Sequence, residues 1–388
     1  MKAQRKAKPV VLQPRGSRRI ALLEVSGPIL SVLFAMLMAS VALIMIGKNP
    51  FAVYGTMFAY SFGRLDSVAY ILSKATPLIF SGIAVAVAFR VNLFNIGVEG
   101  QYAVGAFFAS WVGASFHGLP PYIHLPLVIL AGAFGGALWA LVPIWLRVKR
   151  GVHEVISTIM LNHTSYLLLH YLMAGPLKDK TLVGLGTVGS ASGVRMSPIL
   201  DSARVPRLHG LFEAIGINIP AYVSLNWFLV VGIVLAFGMY LLIWKTPFGM
   251  QLRAVGHNPK AAEAAGLRSN AVLVRAFLIS GAVAGLVGLS DLLGYFGYLD
   301  VDFPKGYGFT GIAVALVGKN GALGIILAAL LFGFLSRGGM GIQVLERVPM
   351  ETYFILQGLI ILCIVIGSEM VRRFVRAQQK KEEAAADV

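Results

Sequence analysis

The chain has 388 residues, 57% of them hydrophobic and 13% charged, with 33 Lys and Arg against 17 Asp and Glu for a net charge of +16. A soluble domain carries about 25% charged residues, so an ordinary soluble enzyme is excluded and an integral membrane protein with several spans is indicated. The basic residues sit in the termini and in short loops between apolar runs, which is the positive-inside pattern and not a nucleic-acid-binding face. The one cysteine, Cys363, lies in an apolar run; it allows no intramolecular disulfide and points to no cysteine-based metal or redox site.

Residues 1–19 hold seven basic residues and no acid, and are expected to form a cytoplasmic tail. The apolar run Pro28 to Gly47 is long for a signal-peptide core and is expected to be a retained first span. Further apolar runs lie at 68–89, 93–115, 124–146, 153–175, 224–244, 272–298, 304–319, 321–336 and 350–369. The expectation is an all-α polytopic membrane protein with about ten transmembrane helices over residues 20–370, followed by a charged cytoplasmic tail at 371–388. The short runs at 304–319 and 321–336 fit either two thin, tilted spans or one re-entrant pair.

Loop charges agree with cytoplasmic termini. Arg147, Lys149 and Arg150 then fall inside, as do Lys245, Arg253, Lys260 and Arg268, while Asp300 and Asp302 fall outside. The loop 176–223 is placed outside despite Lys178, Lys180, Arg195, Arg204 and Arg207; loops of such length cross largely regardless of charge. Ten spans divide into two inverted halves of five. A glycine-rich, polar-flecked stretch opens the third span of each half: NLFNIGVEGQ (Asn92 to Gln101) and GYGFTGIAVALVG (Gly306 to Gly318). Gly132 with Gly136, and Gly281 with Gly285, are small-xxx-small pairs of the kind that lets helices pack closely in lipid.

Asn92 to Gln101 places two asparagines, a glutamine and Glu99 in an otherwise oily sequence. A carboxylate near the bilayer centre costs about 2.5 to 3.5 kcal/mol on insertion scales unless it finds a partner or water. The stretch therefore reads as a helix break lining a polar cavity or as a polar turn at the membrane surface. Glu99 itself either lines a pathway or ties two helices together.

The cytoplasmic loop 245–271 carries a second signal. Asn258–Pro259 is a cap and first-turn pair, Lys260 to Ala265 favours helix, and Gly266 is placed to end it. A helix of about two turns has little stability alone in water, so this one is expected to dock on a partner or on its own protein. Catalytic signals are missing. The string VGKNG (Val317 to Gly321) lacks both the spacing and the Ser/Thr of a P-loop, so the chain is not expected to hydrolyse ATP or to act as an enzyme. The few acids in spans, Glu99, Glu154 and Asp291, are fewer than an ion-driven carrier usually shows. His153–Glu154 reads as an interfacial pair in preference to a proton relay.

FNIGVEGQ (94–101), EVISTIMLN (154–162), GHNPKAAEAAGL (256–267) and the stretch from GYGFTGIAVALVG to the glycines at 338–341 together resemble the permeases of bacterial ABC importers in the branched-chain amino acid, simple-sugar and nucleoside group. The similarity covers about residues 70 to 369. The pairing of FNIGVEGQ with EVISTIMLN looks most like the nucleoside branch, whereas sugar permeases usually read FDLSVG or similar at that place. The resemblance implies a multi-pass permease of the bacterial inner membrane that pairs with a second, similar permease chain. It also implies two ATPase domains on the cytoplasmic side, which hydrolyse the ATP, and an extracytoplasmic substrate-binding lipoprotein; the chain itself would bind no cofactor or metal. GHNPKAAEAAGL looks like the coupling helix, with His257, Asn258, Pro259, Ala262, Ala265 and Gly266 as the residues meeting the ATPase. A nucleoside needs aromatic or apolar faces for its base and amide or carboxylate groups for its hydroxyls, and Phe94, Asn95, Glu99, Gln101, Phe309 and Thr310 supply both as candidate pathway residues. A simple-sugar permease, and more distantly an ion-coupled carrier acting alone, are the competing readings.

Overall fold

A computed structural model of the chain describes residues 33–179, 194–213, 216, 219–301, 303, 306–349 and scattered positions between 354 and 377. It divides into two units, one of residues 1–48 with 355–388 and one of residues 49–354. The first unit contains helix α1 (Leu33–Met45). Most of the expected 350–369 span and both charged tails lie wholly or largely outside the described residues.

The regular elements described in the second unit are all helices, joined by turns and irregular segments that carry isolated bridges. Helix α2 (Pro50–Phe62) starts at a capped Asn49–Pro50 pair, the Asn49 side chain accepting from the Phe51 amide at 3.0 Å. Helix α3 (Leu65–Phe89) is buried without interruption from Ala75 to Ala88, so it is the central post of the bundle. A helix buried on every side has room only for small polar groups that satisfy themselves, and Ser73 and Thr76 each return a 2.8 Å hydrogen bond to the carbonyl of the preceding turn. Helices α4 (Val98–Ser115), α5 (Pro121–Arg150) and α6 (Glu154–Ala174) follow. The described part of segment 176–223 carries the short α7 (His209–Glu213), and at 199–200 its backbone meets the ends of the bundle, Leu200 donating to Gly113 at 3.0 Å and Ile199 to Gly297 at 2.8 Å. Then come α8 (Phe228–Lys245), α9 (Pro247–His257), α10 (Pro259–Ala264) and α11 (Ser269–Ala284). Helix α12 (Leu289–Asp291) runs into a π-helical turn at Leu292–Phe296, ahead of α13 (Tyr307–Val317) and α14 (Ala322–Leu345).

Among the described residues five helical stretches are long and apolar enough to cross a membrane: 65–89, 121–150, 228–245, 269–296 and 322–345. The stretch expected as two thin, tilted spans or one re-entrant pair at 304–336 consists of two helices of unequal length. Helix α14 has 24 residues, enough to cross, whereas α13 has 11. At about 1.5 Å per residue α13 reaches roughly halfway through a ~30 Å hydrocarbon core. Helix α2, absent from the expected runs, packs on α14, with the Thr56 hydroxyl donating to Glu346 at 2.8 Å.

Close backbone approach holds α4, α5 and α11 together. The two small-xxx-small pairs meet each other: a Cβ on Gly136 would lie 2.6 Å from the Gly285 nitrogen, and one on Gly281 2.8 Å from the Gly136 carbonyl oxygen. Gly105 of α4 faces the same contact.

Candidate functional site

The break between α3 and α4 is where the polar residues gather. After Phe89 the chain turns, with Asn92 at φ 55°, and it becomes helical again only at Val98. A break in apolar surroundings frees backbone groups that need partners. Helix α6 supplies them. The Phe94 amide donates to Glu154 Oε1 at 3.2 Å, the Asn162 amide donates to the Ile96 carbonyl at 3.0 Å, and Asn162 Oδ1 accepts from the Gly100 amide at 2.9 Å. Two sequence motifs read separately are thus one structure. Gly100 is required for it, since a Cβ there would lie 3.0 Å from the Asn162 Cα.

Glu154 is 3% exposed, and Arg147 Nε lies 3.3 Å from its second oxygen. His153 Nδ1 is 3.7 Å from the same oxygen, but that nitrogen accepts from the Val155 amide as the α6 N-cap. Arg147 is therefore the counter-charge, and His153 is a cap.

Asn95 and Gln101, both buried, form a reciprocal amide pair at 2.9 and 3.1 Å. Asn95 also donates to Ser280 on α11, whose hydroxyl donates to the Ala84 carbonyl on α3 at 2.6 Å. This network joins three helices with every amide partnered.

Glu99 is 1% exposed, and three donors converge on it. The Tyr166 hydroxyl of α6 and the Gly306 amide each lie 2.6 Å from Oε1, and the Gly308 amide lies 2.8 Å from Oε2. Gly306 is the residue before the first turn of α13, at φ 94°, and Gly308 lies in that turn. The carboxylate therefore caps a half-length helix from another part of the chain, where orphan amides and the helix dipole both favour a negative group. The two polar breaks expected at matching places in the sequence touch here. Helix α13 is fixed further by Ser81, which donates to the Tyr307 carbonyl, and by the Tyr307 hydroxyl, which donates to Asp291 at 2.7 Å.

The structure thus brings Asn95, Gln101 and Glu99 into one polar region. Phe94 stands apart, half-buried with its ring against Phe89, while Phe309 is 51% exposed and Thr310 half-buried, neither hydrogen-bonded through its side chain to that region. Glu154, Tyr166, Ser280 and Asp291 complete the region. Glu154 is visible in the EVISTIMLN stretch; the signal of Tyr166, Ser280 and Asp291 in the sequence is only that they are polar residues inside apolar runs.

At the same C-terminal end of α3 lies the loop of α9 and α10. Asn258 caps α10, accepting from the Ala261 amide at 3.1 Å, Pro259 opens it, and Gly266 at φ 85° closes it, as the sequence dictates. His257, Asn258, Pro259, Ala265 and Gly266 are exposed. Ala262 is not: it is 5% exposed and packs with Leu252, Val255, Val91 and Phe277. The loop is also tied to α3 and α13. Asn92 donates to the Gly256 carbonyl, and Arg90 donates to the Asn320 carbonyl at 2.7 Å, just beyond the end of α13.

Residues 67–365 match the family described as branched-chain amino acid transport system, permease component. The chain belongs to this permease family. Its relatives include the guanosine ABC transporter permease protein of Bacillus subtilis, 37% identical over 92% of this chain and 97% of the relative. The nucleoside ABC transporter permease protein NupB of Lactococcus lactis is 30% identical over 87% and 90%. The glucose ABC transporter permease protein of Haloferax volcanii is 35% identical over 93% and 92%. No solved structure matches the permease.

Proposed function

We propose that the permease forms the translocation pathway of an ATP-driven importer for nucleosides, purine nucleosides foremost. The observation that carries this reading is the match to the guanosine permease along nearly the whole of both chains. The exposed, capped α10 and the half-helix α13 fit a subunit that takes its energy from elsewhere: α10 offers its outer face to a partner ATPase that hydrolyses ATP. The tie of Asn92 to Gly256 and of Arg90 to Asn320 carries a displacement of α9 and α10 to the cytoplasmic ends of α3 and α13. Asn95, Glu99 and Gln101 hold the inner ends of these helices in register beside the pathway, with Phe94, Phe309 and Thr310 as further lining. In this reading the chain sits in the bacterial inner membrane as two inverted halves with both termini cytoplasmic. It pairs with a second, similar permease and receives solute from a binding lipoprotein outside.

The glucose permease among the relatives supports a second reading, a simple sugar as solute. Uptake of labelled guanosine and adenosine, with and without the gene and with glucose and ribose as competitors, separates the two. Nucleoside uptake that is lost on deletion and indifferent to sugar supports the proposal. Intact nucleoside uptake with lost glucose uptake overturns it.

A further inference from the structure

On the side of the bundle facing segment 176–223, α3, residues 222–224 and the π-helical turn after α12 enclose a cavity of about 240 Å³. It is somewhat smaller than the ~300 to 1,000 Å³ of drug-sized ligand sites, as suits a small solute. None of its lining residues belongs to the motifs that carry the family resemblance.

Its chemistry is specific. Tyr70, Tyr222, Tyr295 and Phe296 present four aromatic rings, and Lys74 and Asp291 contribute one charge of each sign. Asp291 is 3% exposed inside a membrane span, the kind of residue that is functional by default. Ser224 donates to its Oδ1 at 3.3 Å and Tyr307 to its Oδ2 at 2.7 Å, which uses about half of a carboxylate's acceptor capacity. Tyr295 and Phe296 sit on the π-helical turn itself, a local irregularity that recurs at functional sites because it re-aims side chains.

We propose that this cavity is a substrate-holding site of the permease, taking a neutral nucleoside with its base among the tyrosine rings and its ribose hydroxyls on Asp291, Lys74 and Ser73. The inference rests on the nucleoside-importer reading. One positive and one negative group suit a ligand without net charge, and base–aromatic stacking tolerates any base. Four rings on so small a cavity leave more apolar face than a hexose, hydroxylated at nearly every carbon, can cover. Tyr307 joins this cavity to the cap at Glu99, because the residue that donates to Asp291 stands between the two amides bound by Glu99.

The test is equilibrium binding of tritiated guanosine to the assembled transporter in nanodiscs, together with guanosine uptake by cells, for Tyr222→Ala, Tyr295→Ala, the corresponding Phe variants and Lys74→Gln. Tyr222 and Tyr295 are 50% and 41% exposed, so their truncation spares the core, and co-purification with the ATPase checks assembly. The Ala variants are expected to weaken guanosine binding about 5- to 100-fold, the range of one base stack, and to raise KM with little change in kcat. The Phe variants are expected to restore most of the loss. Lys74→Gln decides the matter should an Ala variant fail to assemble, with about a tenfold loss expected for a hydrogen bond from a charged donor. Wild-type binding and KM in these variants, in a transporter that does import guanosine, overturn the site. A wild-type transporter that imports glucose and no nucleoside overturns the reading beneath it instead.

Discussion

Replacing Glu99 tests whether one buried side chain holds the start of α13. In Glu99→Gln the amide oxygen can still accept from Tyr166 and Gly306, but the NH2 group then faces the Gly308 amide, donor against donor. Each charge-assisted hydrogen bond is worth about 1.5 to 3 kcal/mol and an unpaired buried donor costs about 1 to 3, so the loss is about 2.5 to 6 kcal/mol. In Glu99→Ala all three donors lose the carboxylate. The loss should be larger unless water enters the space left by the side chain. Both variants should insert in the membrane. Thermal denaturation in detergent should occur several degrees lower, in the order wild type, Gln, Ala, and protease should cut between 297 and 310 sooner. Uptake should fall in the same order. An Ala variant with wild-type thermal stability and protease resistance would refute the cap.

Gly308→Ala should resemble Glu99→Ala, because its Cβ would lie 2.6 Å from the Glu99 Cα and drive the two helices apart; pulldown yield and denaturation temperature report it. If the loop of α9 and α10 docks on the ATPase as proposed, Ala265→Trp on its exposed side should abolish co-purification of the ATPase while the permease keeps its denaturation temperature. Ala262→Trp should lower that temperature itself, since Ala262 lies in the core under α10 and overpacking costs about 1 to 3 kcal/mol. Arg337→Lys should destabilise the permease by about 1 to 3 kcal/mol, read from the same melts. The guanidinium lies over the rings of Tyr60 at 4.4 Å and Tyr70 at 5.1 Å while donating from two nitrogens to Ser67, and an ammonium reproduces only part of that.

Much of this was legible locally. The break at Asn92 to Gly97 and the cap, first turn and stop of α10 follow from side chains acting within a few residues of themselves. What escaped was non-local. That Glu99 caps a helix 207 residues further on leaves no periodic trace, so its role as a tie could only be stated beside its role as a lining residue. The run ending at residue 336 stopped just before Arg337, which hydropathy counts as a break; stacked on two tyrosines it is carried inside α14, which continues to Leu345. Helix α2, at 13 residues, is too short to stand out as a span of about 20, and it gains stability from its contact with α14. An alanine-rich helix carries no amphipathic pattern to say which face turns inward, so the sequence alone does not separate buried Ala262 from exposed Ala265.

The cap on α13 also sets an order of events during synthesis. Glu99 enters the membrane with α4, when Gly306 and Gly308 are still 207 and 209 residues from being made. At about 5 to 20 residues per second that interval is roughly 10 to 40 s. Tyr166 comes first, 67 residues behind Glu99, so the earliest partner available to the buried acid is a hydroxyl from α6. The first six helices therefore leave the ribosome with one acid only partly hydrogen-bonded, and the bundle closes when the start of α13 arrives to supply its remaining donors. A chain truncated before Gly306 should remain a substrate for membrane quality control, however well its first helices have inserted.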